Sequence, residues 1–364
     1  MKTNFSPDNL ESDLCWHTFS LPSSCQGETL FCRLAEPTTP FRAVVQISHG
    51  MCEHIDRYLP FFRFLAREGF VICGHDHLGH GKSCQDPSRL GFISSENGYH
   101  YLVEDLHAVS LHLKKRYPDL PLFLFGHSMG SMIARLYLSK YASLLQGAVL
   151  CGTAGPNPAS RAGMALCRHI IATKGEMYRS PRLYQMIFGS YNSRYNHPKT
   201  EYAWLSRDEA AVQAYIQDPL CGFSFTASAY LDLLSLQYYC NTRLWYKTLP
   251  KDLPLLLISG SMDPVGNYGK GIQAIEHQLR GAGIQDLTVW IYPQARHELL
   301  NELNRDEVMR DVLSWFACMD AAITPHKNTL NTFFFIMLPP TAAFAALLFW
   351  ANQAPFKSKS RRLG

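Results

Sequence analysis

Short runs in which nearly every residue is apolar recur along the chain. Ala43-Val44-Val45-Gln46-Ile47-Ser48, Phe70-Val71-Ile72-Cys73, Pro121-Leu122-Phe123-Leu124-Phe125 and Gly147-Ala148-Val149-Leu150-Cys151 are four of them. Leu255-Leu256-Leu257-Ile258-Ser259 and Leu287-Thr288-Val289-Trp290-Ile291-Tyr292 are two more. A strand covered on both faces has no polar side to show, so it reads as continuous apolar sequence. Between these runs lie segments of helical pattern, at about Tyr58 to Glu68, Gly98 to Arg116, Ser131 to Leu138, Gly269 to Gly281 and Arg305 to Ala321. Strands alternating with helices predict an α/β fold, a mostly parallel central sheet with helices on both faces. Trp16 to Leu21 and Thr29 to Leu34 alternate instead, with a short polar link between them. They predict an antiparallel pair at a sheet edge.

The rhythm stops between residues 153 and 248. That interval has a helical pattern, no clear strand, and many Tyr, Met, Phe and Trp residues. It predicts a helical cap inserted over the carboxyl edge of the sheet, where open α/β sheets bind ligands. The expected organisation is a core in two parts, residues 1–152 and 249–325, with the cap at 153–248 and a tail at 326–364. The cap must also pack on the core, so spacing alone marks no single pocket residue.

Gly126-His127-Ser128-Met129-Gly130 sits between an apolar strand and a helix. Strand, then G-x-S-x-G, then helix is the setting of a nucleophile elbow. The turn lifts the serine hydroxyl above the sheet, and the crowded flanks leave room only for glycine. A nucleophilic serine needs a base, and the base needs an acid to hold its tautomer. In this architecture the chain order is Ser, then Asp or Glu, then His, each on a loop after a strand. Asp263 follows the Leu255 run and His297 follows the Leu287 run. Asp263 alone would also suit a turn before Pro264. The oxyanion donors expected for such a serine are backbone N–H groups, that of Met129 after the nucleophile and that of Met51 after the third strand.

These segments resemble the monoacylglycerol lipase and lysophospholipase family of α/β-hydrolases, the serine aminopeptidase S33-like group. The resemblance rests on His49-Gly50-Met51-Cys52-Glu53-His54-Ile55-Asp56-Arg57-Tyr58, on Asp76-His77-Leu78-Gly79-His80-Gly81-Lys82-Ser83 and on the elbow itself. The acid and histidine loops, Ser259 to Val265 and His297-Glu298, match as well. It spans about Cys15 to Asp320. Ser131 stands where a third glycine often follows the elbow. The resemblance implies a serine hydrolase of acyl esters, typically monoacylglycerols or lysophospholipids, working through Ser128, Asp263 and His297 without a cofactor or a metal. Glu53, His54 and Arg57 are expected to orient the oxyanion loop or to meet a glycerol or phosphate head group. His127 borders the nucleophile and either meets substrate or packs. An S33-type aminopeptidase and an acyltransferase remain open on the same triad, as does an inactive hydrolase fold used as a binding module.

His75-Asp76-His77-Leu78-Gly79-His80 superficially resembles a metal-binding run, but Gly79 stands where an aspartate would be needed, and the segment suits a turn. Of the 34 lysines and arginines, five lie from His326 onward, where no acidic residue stands, leaving 29 against 30 acidic residues in the body. A balanced body argues against nucleic acid as a partner. The 11 cysteines are scattered, odd in number and without a C-x-x-C pair. That pattern suits a reducing, cytoplasmic compartment. Phe333 to Ala351 carries no charge and is followed by Lys357, Lys359, Arg361 and Arg362. Pro339-Pro340 divides it into pieces too short to span a bilayer singly. The expectation is a tail lying in or against the inner leaflet, its basic end near anionic head groups. The number of chains in an assembly is not set by any of these patterns.

Overall fold

The structure is a computed structural model that describes residues 14–321. The apolar and basic tail at 333–362 lies outside the described residues. Among those described, no helix is long and apolar enough to cross a membrane.

Eight strands form one sheet: β1 (Leu14–Pro22), β2 (Thr29–Pro37), β3 (Ala43–Ser48), β4 (Phe70–His75), β5 (Leu122–His127), β6 (Gly147–Cys151), β7 (Leu255–Gly260) and β8 (Leu287–Tyr292). Their order across the sheet is β1-β2-β4-β3-β5-β6-β7-β8. The first two pair antiparallel, with Trp16 opposite Ala35, and β2 pairs antiparallel with β4. From β4 to β8 the pairing is parallel. The strand order reverses at β3, which lies between β4 and β5. The carboxyl ends of β3 and β5 therefore flank a switch point, where a crevice opens in this type of sheet.

The apolar runs are continuous because each face of the sheet has its own core. On β5, Leu122 and Leu124 enter one cluster, and Phe123 and Phe125 enter the other. The first cluster takes in α2 (Gly98–Arg116), α3 (Met129–Tyr141) and α9 (Lys270–Gly281), and the second takes in α1 (Leu59–Arg67) and α10 (Arg305–Ala321). Each fully buried Leu or Phe on β5 contributes about 1.5–3 kcal/mol. None of the 11 cysteines is in a disulfide.

Between β6 and β7 the chain forms α4 (Ser160–Lys174), α5 (Pro181–Phe188), α6 (Glu209–Gln217), α7 (Ala227–Tyr239) and α8 (Arg243–Thr248). A buried carboxylate on α7 ties that helix to the core. Asn97, just before α2, has a left-handed backbone and gives no side-chain cap. Asp232 of α7 supplies it instead, accepting the Tyr99 N–H at 2.9 Å. Burial pushes the Asp232 carboxyl up to about 7, against the opposing hydrogen bonds from Tyr99 and Gly98. The folded protein therefore binds this proton more tightly than the unfolded chain does. Asp232 contributes most below the usual value of 3.8, and that contribution is lost as pH rises toward 7. Urea unfolding of wild type and Asp232→Asn at pH 5 and pH 6 is expected to show wild type losing up to about 1.4 kcal/mol more than the variant over that unit.

Candidate active site

Ser128 sits between the end of β5 and the start of α3 with φ 53° and ψ −118°. This backbone is strained for a residue with a side chain, and such strain gathers at functional turns. The turn survives because its neighbours leave no alternative. A Cβ at Gly126 would lie 2.6 Å from the Gly130 carbonyl oxygen, and one at Gly130 would lie 2.1 Å from that of Ser48. The obstacle at Gly130 is the backbone of β3, which cannot swing aside. Gly130→Ala is expected to force α3 away from β3 and to lower any turnover at Ser128 at least about 100-fold, comparable to losing an oxyanion donor. Steady-state kinetics on the folded fraction would check this.

The two later loops reach the same point. His297 Nε2 lies 2.8 Å from Ser128 Oγ, and His297 Nδ1 lies 3.0 Å from Asp263 Oδ1. Asp263 is fully buried and His297 is 2% exposed. Asp263 also accepts the Val265 N–H at 2.8 Å, which fixes the carboxylate within its own turn. The imidazole is walled in as well. The Trp204 ring stands 5.1 Å from it, and the His127 ring 4.9 Å. Gly152 has a φ of 58°, and a Cβ there would lie 3.1 Å from the ring. Trp204 and Gly152 escape sequence reasoning. Nothing in a helical, aromatic-rich interval marks one tryptophan as the wall of a histidine 93 positions later.

The loop after β3 lies against the serine, since a Cβ at Gly50 would fall 3.3 Å from Ser128 Cβ. It is held by a buried charge network. The Gly50 N–H donates to Glu53 Oε1 at 2.5 Å. The Tyr58 hydroxyl donates to the same oxygen at 2.8 Å, and His127 Nδ1 lies 3.2 Å from it. Arg57 donates through one nitrogen to Glu53 and to Glu298, each at 2.6 Å, and through its other nitrogen to Glu298 at 2.7 Å. Burial raises the Glu53 carboxyl, but His127 and Arg57 outweigh it and hold the group well below the usual range. Burial works against the charge of His127, and the Glu53 hydrogen bond reverses that and raises it. The network joins the loop after β3 to Glu298, the neighbour of His297.

His54, Arg57 and His127 are thus committed to protein partners. His54 Nε2 lies 2.9 Å from Asp218 Oδ2, ahead of α7. His54, Asp218 and Cys221 bring ligand-type atoms within 4.8 Å of one another. They suit a tether better than a metal, because the first two already share a hydrogen bond. Burial also pushes the Cys221 thiol far above its usual range, although Arg57 opposes this.

Ser128 and Met51 open on a cavity of about 570 Å³. Its walls include Met132, Met186, Tyr191, Leu233 and Leu234 together with Lys270, and among the described residues its lining carries no carboxylate. His54, Arg57 and His127 are not on that wall.

Comparison with known proteins gives a consistent picture. Residues 39–304 match the family described as Serine aminopeptidase, S33. The monoglyceride lipase of Homo sapiens is 30% identical over 297 residues, spanning 80% of this chain and 88% of that protein. The monoacylglycerol lipase of Mycolicibacterium smegmatis is 26% identical over 283 residues, 77% of this chain and 89% of that protein. Among solved structures, a thermostable carboxyl esterase from Bacillus coagulans in complex with glycerol superimposes with a TM-score of 0.79. It is 30% identical and covers 84% of this chain and 99% of its own.

Proposed function

The chain belongs to the serine aminopeptidase S33 family, has the α/β-hydrolase fold and is a lipid-ester hydrolase, and from that premise we propose that it cleaves monoacylglycerols through Ser128, His297 and Asp263. Ser128 Oγ attacks the ester carbonyl while His297 Nε2 takes its proton. Asp263 holds the Nδ1–H and offsets the charge that forms on the ring. The N–H groups of Met51 and Met129 receive the oxyanion. His297 then gives its proton to the departing glycerol oxygen, leaving an acyl-enzyme. Water attacks that ester by the same route in reverse, and the fatty acid leaves.

The observation that carries an ester over a peptide is the chemistry of the cavity. An aminopeptidase must receive a free ammonium group, and a buried cation needs a carboxylate to pair with. Among the described residues, the lining of the cavity beside Ser128 combines apolar side chains with the polar Asn157, Gln237 and Asn267 and the basic Lys270, and has no carboxylate to offer. A volume of about 570 Å³ lies within the range of small-molecule sites. The names of the relatives support glycerol as the leaving group, since two of them are monoglyceride or monoacylglycerol lipases.

The test is turnover on matched substrates. Glycerol release from monooleoylglycerol is expected to exceed both head-group release from oleoyl lysophosphatidylcholine and cleavage of leucine p-nitroanilide. p-Nitrophenyl esters from acetyl to palmitoyl should peak at medium or long chains. Faster cleavage of the anilide would overturn the ester reading, and faster cleavage of the lysophospholipid would move the substrate class.

A further inference from the structure

Behind the oxyanion loop lies a group of buried imidazoles outside the catalytic triad. His49, His75, His77 and His80 are all fully buried. The rings of His49 and His77 are 4.2 Å apart, and those of His75 and His77 are 4.8 Å apart. One of the four, His49, touches the loop that faces Ser128.

The hydrogen bonds of His49 admit one protonation state. Its Nε2 lies 3.0 Å from the backbone nitrogen of His77. A backbone N–H can only donate, so Nε2 must present its lone pair. Its Nδ1 lies 2.8 Å from the carbonyl oxygen of Gly50. A carbonyl can only accept, so Nδ1 must carry the hydrogen. Burial and the neighbouring His80 hold the ring well below the usual histidine range, so it stays neutral while the enzyme works.

The carbonyl that His49 grips belongs to the Gly50–Met51 peptide. No peptide bond among the described residues is cis. In a planar trans peptide the N–H points away from the C=O. Holding the Gly50 oxygen on the His49 side therefore turns the Met51 N–H to the opposite side. Glycine rotates freely, so this peptide could otherwise flip at little cost and set an oxygen where the oxyanion forms. Glu53 pins only the preceding peptide, through the Gly50 N–H. We infer that His49 is a positioning residue, whose Nδ1–H locks the Gly50–Met51 peptide with its N–H turned toward the oxyanion of the Ser128 adduct. The inference rests on Met51 being an oxyanion donor in the reaction proposed above.

Three variants of the full chain separate this role from space filling. His49→Asn keeps an amide N–H at the position of Nδ1 and loses the distant acceptor. His49→Gln keeps an acceptor near the position of Nε2 and loses the donor to Gly50. His49→Ala loses both. On a p-nitrophenyl ester, kcat/KM is expected to fall about 100-fold in Gln and Ala, and less than about tenfold in Asn. The affinity for an alkyl trifluoromethyl ketone, which forms a tetrahedral adduct with the serine, should fall in the same order. Thermal melting of each variant reports stability separately. Equal losses in Asn and Gln, or losses that track melting temperature alone, would overturn the inference. If Ser128→Ala remains active, the fault lies instead in the proposed reaction.

Discussion

Ser128→Ala is expected to lower kcat for ester hydrolysis by about 10⁵–10⁶-fold, with little change in KM or stability. The size follows from what is lost. Without Oγ no acyl-enzyme forms, and His297 Nε2, 2.8 Å from that oxygen, has no proton to take. In the proposed mechanism what remains is the cavity and the Met51 and Met129 N–H groups, which would hold substrate and polarise its carbonyl for attack by bulk water. Residual turnover should therefore exceed the uncatalysed rate by about 10³-fold. The strained turn is set by Gly126, Gly130 and β3 rather than by the hydroxyl, so alanine occupies the same backbone. In the proposed mechanism Ser128, His297 and Asp263 act as a unit, so Ser128→Ala combined with His297→Ala should be scarcely slower than Ser128→Ala alone. A fluorophosphonate probe should label wild type stoichiometrically and leave the variant unmarked. Activity in Ser128→Ala within tenfold of wild type would remove Ser128 as the nucleophile.

Arg57→Ala is expected to give the largest loss of stability among single replacements at the site, about 3–5 kcal/mol. Arg57 lies between the carboxylates of Glu53 and Glu298, both buried. Removing it leaves two buried negative charges facing each other with no counterion on that side. The guanidinium also stacks 4.8 Å over the Tyr215 ring, so packing is lost too. A fall in melting temperature of about 4–7 °C corresponds to this energy for a chain of this size. The pH dependence has a definite sign. In wild type the Glu53 carboxyl lies well below its usual value of 4.5. Its contribution is therefore present above that value and lost as pH falls through the folded value. The gap between wild type and Arg57→Ala should be widest near neutral pH and should narrow as pH falls, because burial without Arg57 makes the Glu53 carboxylate take up its proton sooner in the variant than in wild type. Arg57→Lys restores charge without the paired geometry and should recover part of the stability. Melting curves at pH 7 and pH 4 test both statements. A gap that does not change with pH would mean that packing on Tyr215, rather than charge, is what Arg57 supplies.

Local pattern is most telling where the chemistry is announced by neighbours in the chain. The run before Gly126 and the helix after Gly130 identify Ser128 as an elbow serine. Asp263 and His297 each follow a strand at the position the elbow requires. The edge pair β1 and β2 is legible because a half-covered strand alternates. The pattern was silent on the antiparallel pairing of β2 with β4, since pairing depends on which strand end meets which. It was equally silent on Asp232 capping α2 from α7, because Asn97 stands at the usual capping position and gives no sign that the partner comes from elsewhere.

The sequence by itself determined the α/β architecture, the family resemblance and the three residues brought to one point. The physical reason is that strand burial, helix periodicity and the elbow turn are decided within about ten residues of chain. The tertiary structure decided what the polar residues around them do. From sequence, His54 and Arg57 are expected to steady the loop or meet a head group, and His127 to meet substrate or to pack. Arg57 is claimed by Glu298, 241 positions away, and His54 by Asp218, 164 positions away. A buried charge must find its partner wherever packing delivers one, and no local spacing records that choice. The tautomer of His49 and the aromatic wall of His297 belong to the same category. They exist because separate segments converge behind one serine, and only the folded chain sets their directions.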